Sequence, residues 1–290
     1  MFSSFVLFLV LMFSLIGVFL LYLWMMGRKL KSLRGLDPLG DFTMRPAGES
    51  LRTKLVELDE SINERMVQLL VFILSISVIP LLNLDERQKW IVGSIAVIPT
   101  VYVATRFKNL LIERSSYELG FKGERYVGQL LDSLMREGCH VYHDIPCETK
   151  SAKFNIDHVV ISSAGVFAVE TKTYRKPKEL EGKARAKVEY DGAKLHFSTG
   201  RSSGDELEQA MRNAKFLSKL LTNSTGEPVS VQGIVVLPGW FVERKGRGEA
   251  LVVNPKEISQ AVIDRRASPK LDPAAMRRIC HQLGQLCSLK

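Results

Sequence analysis

The first apolar run constrains this chain more than any other stretch. Phe2 to Met26 carries no charge and is interrupted only by Ser3, Ser4, Ser14 and Gly17. A helix that crosses a bilayer needs about 20 such residues. A cleaved signal peptide would place its basic residues before the run and a small-residue site after it. Here Arg28, Lys29, Lys31 and Arg34 follow the run, and no Ala-x-Ala comes after. The expectation is an uncleaved anchor helix over residues 1–26.

Two more apolar runs follow, Met66 to Leu84 and Trp90 to Ala104, separated by Asp85-Glu86-Arg87-Gln88-Lys89. They read as a transmembrane hairpin over 66–105, the second arm short for a span. Pro80 and Pro99 are tolerable in membrane helices. The positive-inside rule puts Arg28, Lys29, Lys31 and Arg34 in the cytoplasm, and Arg106 and Lys108 with them. The N-terminus is then outside, and residues 27–65 and 106–290 are cytoplasmic. Leu51, Leu55, Leu58, Ile62 and Met66 recur at helical spacing, so an amphipathic helix is expected to lead into the second run. All four cysteines, Cys139, Cys147, Cys280 and Cys287, fall in the part expected to be reduced, which excludes a disulfide scaffold.

The net charge is +9, and nearly all of it lies after residue 104. That part is long enough to bury a core. Its periodicity predicts a helix over Tyr117–Glu137, stopped by Gly138, and strands over Cys139–Ile145, Ile156–Ser162 and Val166–Thr171. Ser163-Ala164-Gly165 makes a tight turn between the last two. A small hairpin is expected from Val188–Tyr190 and Leu195–Ser198 around Asp191-Gly192, and Thr199–Gly204 reads as a mobile loop. Helix Asp205–Leu221, strands Val231–Leu237 and Leu251–Val253, and helices Pro255–Asp264 and Pro273–Leu286 complete the chain. The class is α/β, a mixed sheet flanked by helices, preceded by about three transmembrane helices.

One constellation carries chemistry. Asp157 opens a strand, and Glu170 and Lys172 close the next, two residues apart and so on one face. The antiparallel hairpin brings Asp157 back beside Glu170. Two carboxylates and an ammonium thus converge among Val and Ile strands. This set suits metal-assisted phosphodiester hydrolysis, with Mg²⁺ or Mn²⁺ held on hard carboxylate oxygens.

Asp…Glu-x-Lys on adjacent strands resembles the PD-(D/E)-x-K nuclease superfamily. From about 117 to 236 the chain is similar to the nuclease-related domain (NERD) family. The matching pieces are Gly120-Phe121-Lys122-Gly123-Glu124, Asn155-Ile156-Asp157-His158-Val159-Val160, Gly165-Val166-Phe167, Glu170-Thr171-Lys172-Thr173-Tyr174 and Gln209-Ala210. One departure is Thr173, where the family often has Asn. The resemblance implies a restriction-endonuclease-like fold and a nuclease acting on nucleic acid, DNA ahead of RNA. It implies Asp157 and Glu170 as metal ligands, Lys172 as the catalytic lysine and Glu124 as a further acidic ligand or supporting group. Gln209 would orient a phosphate or the lysine. A bacterial inner membrane is the implied location.

Other readings stand beside this one. Asp157 alone is a strand-end turn residue, and Glu170 with Lys172 a solvated strand face. A non-cleaving, membrane-tethered module that binds nucleic acid or lipid is the alternative function. His158 alternates away from Asp157 and is expected to be structural. His140, His143, His196 and His281 lack ligand spacing, and the cysteines form no Cys-x-x-Cys, so no zinc site is expected. No Gly-Lys-Ser/Thr ending signals nucleotide use. Lys172, Arg175, Lys176, Lys178, Lys183, Arg185 and Lys187 form a basic stretch suited to phosphate or to anionic lipid, and Arg244, Lys245 and Arg247 form a smaller one.

Overall fold

The computed structural model describes residues 44–79, 84–149, 152–176, 186–264 and 271–287, with Leu20, Leu23, Trp24 and Gly27. The first apolar run as a whole, Arg28, Lys29, Lys31, Arg34, Pro80, Lys178, Lys183 and Arg185 lie outside the described residues.

Helix α1 (Glu49–Val78) contains the spaced leucines and the start of the second apolar run. Helix α2 (Glu86–Ser133) joins the third apolar run to the helix expected from Tyr117. The two were expected as separate elements. They are one helix because residues 105–116 hold good helix formers and neither Gly nor Pro, so nothing ends the hydrogen-bond ladder there. Among the described residues one helix, Glu86–Glu137, is long and apolar enough to cross a membrane. Trp90, Ile95, Ile98 and Tyr102 on it are all exposed, as on a helix that is apolar all round. The chain divides into two compact units. One comprises the described parts of 1–40 and 56–115, the other those of 41–55 and 116–290. Inside the first, Arg114 donates from Nε to Asp59 Oδ1 at 2.5 Å.

The second unit is mixed α/β. A 3-10 turn, Leu134–Glu137, finishes α2, and Gly138, at φ 83°, donates to the carbonyls of Leu134 and Met135. Left-handed backbone at this position is the ordinary use of glycine at a helix end. Strands β1 (His140–Glu148), β2 (Lys153–Ser162) and β3 (Gly165–Thr171) then form an antiparallel meander. Ser162 pairs with Gly165, so the β2–β3 turn is two residues long.

The chain leaves the sheet after β3 and builds a second one from β4 (Lys187–Tyr190), β5 (Leu195–Phe197) and β6 (Ser202–Ser203). The Thr199–Gly204 stretch is a hydrogen-bonded turn, with Phe197 N donating to Arg201 O at 2.8 Å and Gly200 N to Phe197 O at 2.9 Å. Gly200 supplies the left-handed residue, φ 83°, that the turn requires. Helix α3 (Asp205–Thr225) returns the chain to β7 (Val231–Val236), which lies parallel to β3. Strand β8 (Phe241–Arg244) joins the second sheet and β9 (Leu251–Val253) the first. The strand orders are β1-β2-β3-β7-β9 and β6-β5-β4-β8. A 3-10 turn (Pro255–Glu257), helix α4 (Ile258–Ile263) and helix α5 (Pro273–Cys287) follow.

Alternation along β2 and β3 sorts the core. Val159, Ile161, Val166 and Ala168 face α3 and α5 through Ala214, Leu217, Leu221, Ile279 and Leu283. Val160, Phe167 and Val169 face α2 and α4 through Val127, Leu131, Ile258 and Val262. The second sheet closes over Leu207, Ala210, Val235 and Leu237. Helix α3 lies close on β7, where a methyl group on Gly233 would fall 2.9 Å from Ala210 O. We predict that Gly233→Val costs roughly 1–3 kcal/mol by overpacking and displaces α3. A denaturation midpoint equal to wild type would contradict that contact.

Candidate functional site

The register explains how the charged residues meet. The antiparallel β2–β3 ladder ends at His158 with Val169, so Asp157 and Glu170 face one another one step beyond the last pair. From there β3 continues with β7, pairing Glu170 with Val235 and Thr171 with Val236. The two strands stop pairing at the carboxylates, where the Asp157 side chain takes up the Thr171 amide. Period-2 alternation places Asp157, Glu170 and Lys172 on the α3 face of the sheet, and His158, Thr171 and Thr173 on the α2 face.

The three charged groups are held by specific partners, whereas Thr173 Oγ1 is buried without a hydrogen-bond partner among the described residues. Glu170 is 2% exposed; its Oε1 lies 2.9 Å from Lys172 Nζ, and its Oε2 accepts from Asn213 Nδ2 at 2.9 Å. Lys172 Nζ also donates to Gln209 Oε1 at 3.0 Å. Gln209 and Asn213 are four apart on α3 and so share one of its faces. Asp157 Oδ2 accepts from the Thr171 amide at 2.7 Å, and its Oδ1 accepts nothing among the described residues.

Burial raises the Asp157 carboxyl well above its ordinary range, and the charges of Glu170 and Glu124 add to this. Burial also raises Glu170, although Lys172 and Asn213 pull against it. For Lys172, burial disfavours the ammonium, but Glu170, Asp157 and Glu206 outweigh it and hold its pKa above the usual value. Lys172 is therefore a cation and a hydrogen-bond donor, not a base.

Glu124 comes from α2. It is buried and accepts no hydrogen bond among the described residues. Burial first, then Asp144 and Glu170, push its pKa up to about 8. The Gly120…Gly123 motif before it has a packing cause. A methyl group on Gly123 would fall 1.8 Å from Thr173 Oγ1, and one on Gly120 3.3 Å from Leu51 Cδ1. Gly123 lets the segment after Lys172 lie directly on α2, which sets Glu124 beside the strand ends.

Asp144 has no counterpart in the sequence reading. The β1–β2 ladder pairs His143 with His158 and Ile145 with Ile156, and skips Asp144 and Asp157 between them. Asp144 is left-handed there, φ 48°, a conformation Asp tolerates better than most residues. Its carboxylate receives the Arg45 guanidinium, the Ser50 amide at 3.0 Å, Ser50 Oγ at 2.6 Å and Asn155 Nδ2 at 2.8 Å. Arg45 precedes α1 and Ser50 lies in its first turn, and Arg45 N also donates to Cys287 O at 3.1 Å. Local sequence offers no signal for this clasp, because Arg45 and Asp144 lie 99 residues apart.

His158 is buried and structural. A chain of contacts runs from Asp132 Oδ1 to His143 Nε2 (2.9 Å), from His143 Nδ1 to His158 Nδ1 (2.8 Å), and from His158 Nε2 to Thr171 Oγ1 (3.3 Å). Burial and the neighbouring His143 hold its pKa well below the ordinary range. The donor at each link follows the tautomers of the two rings. The chain fixes Thr171, whose amide holds Asp157.

The donor set suits a hard cation. Asp157 Oδ1 and the Glu124 oxygens lack hydrogen-bond donors among the described residues, and Asp157, Glu170 and Glu124 repel one another. Among the described residues no group of three or more His, Cys, Asp or Glu side chains is arranged to hold a metal by itself. A cation on Asp157 and Glu170 would complete its shell with water or phosphate oxygens. The smaller basic cluster has structural partners. Arg244 Nη2 donates to Glu257 Oε2 at 2.6 Å, and Lys245 Nζ to Glu189 Oε2 at 2.7 Å. Lys187 of the longer stretch pairs with Glu189 at 2.8 Å and Glu243 at 2.6 Å.

Residues 119–238 match the nuclease-related domain family. No curated protein and no solved structure matches the chain.

The Glu124 shift carries a sign. A carboxyl raised from 4.5 to about 8 binds its proton more tightly folded than unfolded. Its contribution is full below 4.5 and is lost as pH rises through about 8. Glu124→Gln removes that loss, so its melting temperature should gain on wild type steadily across this window without added metal. A difference independent of pH would show that Glu124 does not titrate there.

Proposed function

We propose that this chain is a membrane-anchored, metal-dependent nuclease that hydrolyses phosphodiester bonds of nucleic acid, DNA ahead of RNA, on the cytoplasmic side of a bacterial inner membrane. A nuclease-related domain at 119–238 suggests a nuclease-related function, and the finer reading rests on the site. One observation carries it. Asp157 stands opposite Glu170 at the point where β2 and β3 part, with Lys172 held as a cation beside them.

Asp157 and Glu170 would hold Mg²⁺ or Mn²⁺, with Glu124 alongside. Such an ion, once bound, supplies Lewis acidity at a phosphoryl oxygen and a more acidic bound water. Lys172 would donate to a phosphate oxygen and stabilise charge developing there. Gln209 and Asn213 keep Lys172 and Glu170 at fixed positions, which preserves the orientation on which such catalysis depends. Thr171, backed by His158, does the same for Asp157. The core this implies is restriction-endonuclease-like.

The membrane part of the reading is supported by the exposed apolar side chains of α2 and by Arg106 and Lys108 just after its apolar stretch. The charge-free run Phe2–Met26 supports a second attachment.

Full-length chain in detergent would be incubated with plasmid, linear and single-stranded DNA and with RNA, in Mg²⁺, Mn²⁺ or chelator. Cleavage should need metal. Asp157→Asn, Glu170→Gln and Lys172→Ala should each lower it on the order of 10²–10³-fold while the fold is kept. Full activity in any of these variants would remove the role given to that residue. No cleavage, together with no calorimetric metal binding, would favour the tethered scaffold.

A further inference from the structure

On Tyr174, two residues after Lys172, rests a second basic group that the reaction above does not use. Arg201 sits in the β5–β6 turn and is 48% exposed. Its guanidinium lies over the Tyr174 ring, 4.3 Å from the centroid, and 5.8 Å from that of Phe197. Its Nη2 donates to Glu206 Oε1 at 2.9 Å and approaches Tyr174 Oη at 3.4 Å. The Glu206 side chain behind it is 2% exposed, and Tyr174 Oη also donates to that carboxylate. Nε and Nη1 of Arg201 have no partner among the described residues.

The position is linked to Lys172 through Tyr174, Glu206 and Gln209. Tyr174 follows Lys172 by two residues. Glu206 precedes Gln209 by three, about one turn of α3, and Gln209 is the partner of Lys172. The charge of Glu206 is also felt by Lys172. An arginine pinned through Nη2 and stacked on an aromatic ring is held in one orientation, with Nε and Nη1, on different sides of the guanidinium, each able to donate to a phosphate oxygen. Arg201 is itself the cation paired with Glu206, so an incoming anion meets a near-neutral pair and is held by the free guanidinium donors.

We propose that Arg201 binds a phosphate of the substrate next to the one at Lys172, and so sets which stretch of strand lies across Asp157 and Glu170. This rests on the nuclease reading above. The ligand is a phosphodiester backbone oxygen; the base is not read. Arg201 acts on binding and not on bond cleavage, because it contacts neither carboxylate of the proposed centre.

The test is steady-state cleavage by the full-length chain in detergent, with fluorescein-labelled DNA and RNA oligonucleotides, between about 50 and 200 mM salt. Arg201→Ala should raise KM about tenfold with kcat within about twofold. It should also reduce the slope of log(kcat/KM) against log[salt] by about one phosphate contact, ~0.7–0.9. Arg201→Lys keeps a cation on Glu206 and should retain the slope while recovering part of KM. Melting temperatures are recorded alongside. A loss of stability with the slope unchanged in a folded Arg201→Ala or, if that variant fails to fold, a slope already lost in Arg201→Lys, would overturn the assignment. Wild-type cleavage with no change in KM overturns this inference alone; no wild-type cleavage overturns it together with the nuclease reading.

Discussion

Like charges buried at one end of a sheet repel, and the rest of the second unit is organised around that repulsion. Asp157, Glu170 and Glu124 all sit above the usual carboxylate range because burial disfavours their charged forms, and Asp157 and Glu124 also feel neighbouring carboxylates. An unpaired buried charge is costly, so the neighbours are specific. Lys172 and Asn213 engage Glu170, and a backbone amide engages Asp157. Compensation is left incomplete at Asp157 Oδ1 and at Glu124. Perturbed groups of this kind concentrate where binding or chemistry occurs.

The supports of these groups come from distant parts of the chain. Helix α3 reaches the sheet because Gly233 has no side chain, and that approach brings Gln209 and Asn213 to the strand ends. Helix α2 reaches the segment after Lys172 because Gly123 has none. Arg45 and the first turn of α1 are tied down by Asp144, whose carboxylate accepts from Arg45, Ser50 and Asn155. Buried polar networks of this kind are strong when every member is satisfied, and Asp144 is the most fully satisfied acid of the group. Its charge nonetheless raises Glu124, so the clasp affects the electrostatics of the site as well as its packing.

Much of this was legible beforehand, for physical reasons that differ by residue. Asp157, Glu170 and Lys172 announced themselves because charges interrupt runs of Val and Ile, and a two-residue turn makes their register countable. Gln209 was identified through resemblance; its contact with Lys172 is consistent with the lysine-orienting alternative. Asn213 could have been found by stepping one turn along the same helix. The His143–His158 pair could not, because the rings come from two strands and only pairing register places them together. The break between the third apolar run and the next helix was misread, since a change from apolar to polar composition is not a helix stop. Strand β8 escaped notice because four residues after Pro238-Gly239 carry little periodic signal.

Sequence by itself determined the features set by local period and composition: long apolar runs, amphipathic faces, the tight hairpin and the set of charged residues placed where strands should be apolar. These depend on neighbours two to four positions away, which the order of residues specifies directly. Tertiary structure decided what depends on contacts across the chain. It placed Asp144 opposite Asp157 with Arg45 on it, turned Thr171 toward His158, and brought Arg201 onto Tyr174 and Glu206. Those outcomes follow from close packing and from the need to pair buried polar groups, and neither condition is written in any single stretch of the chain.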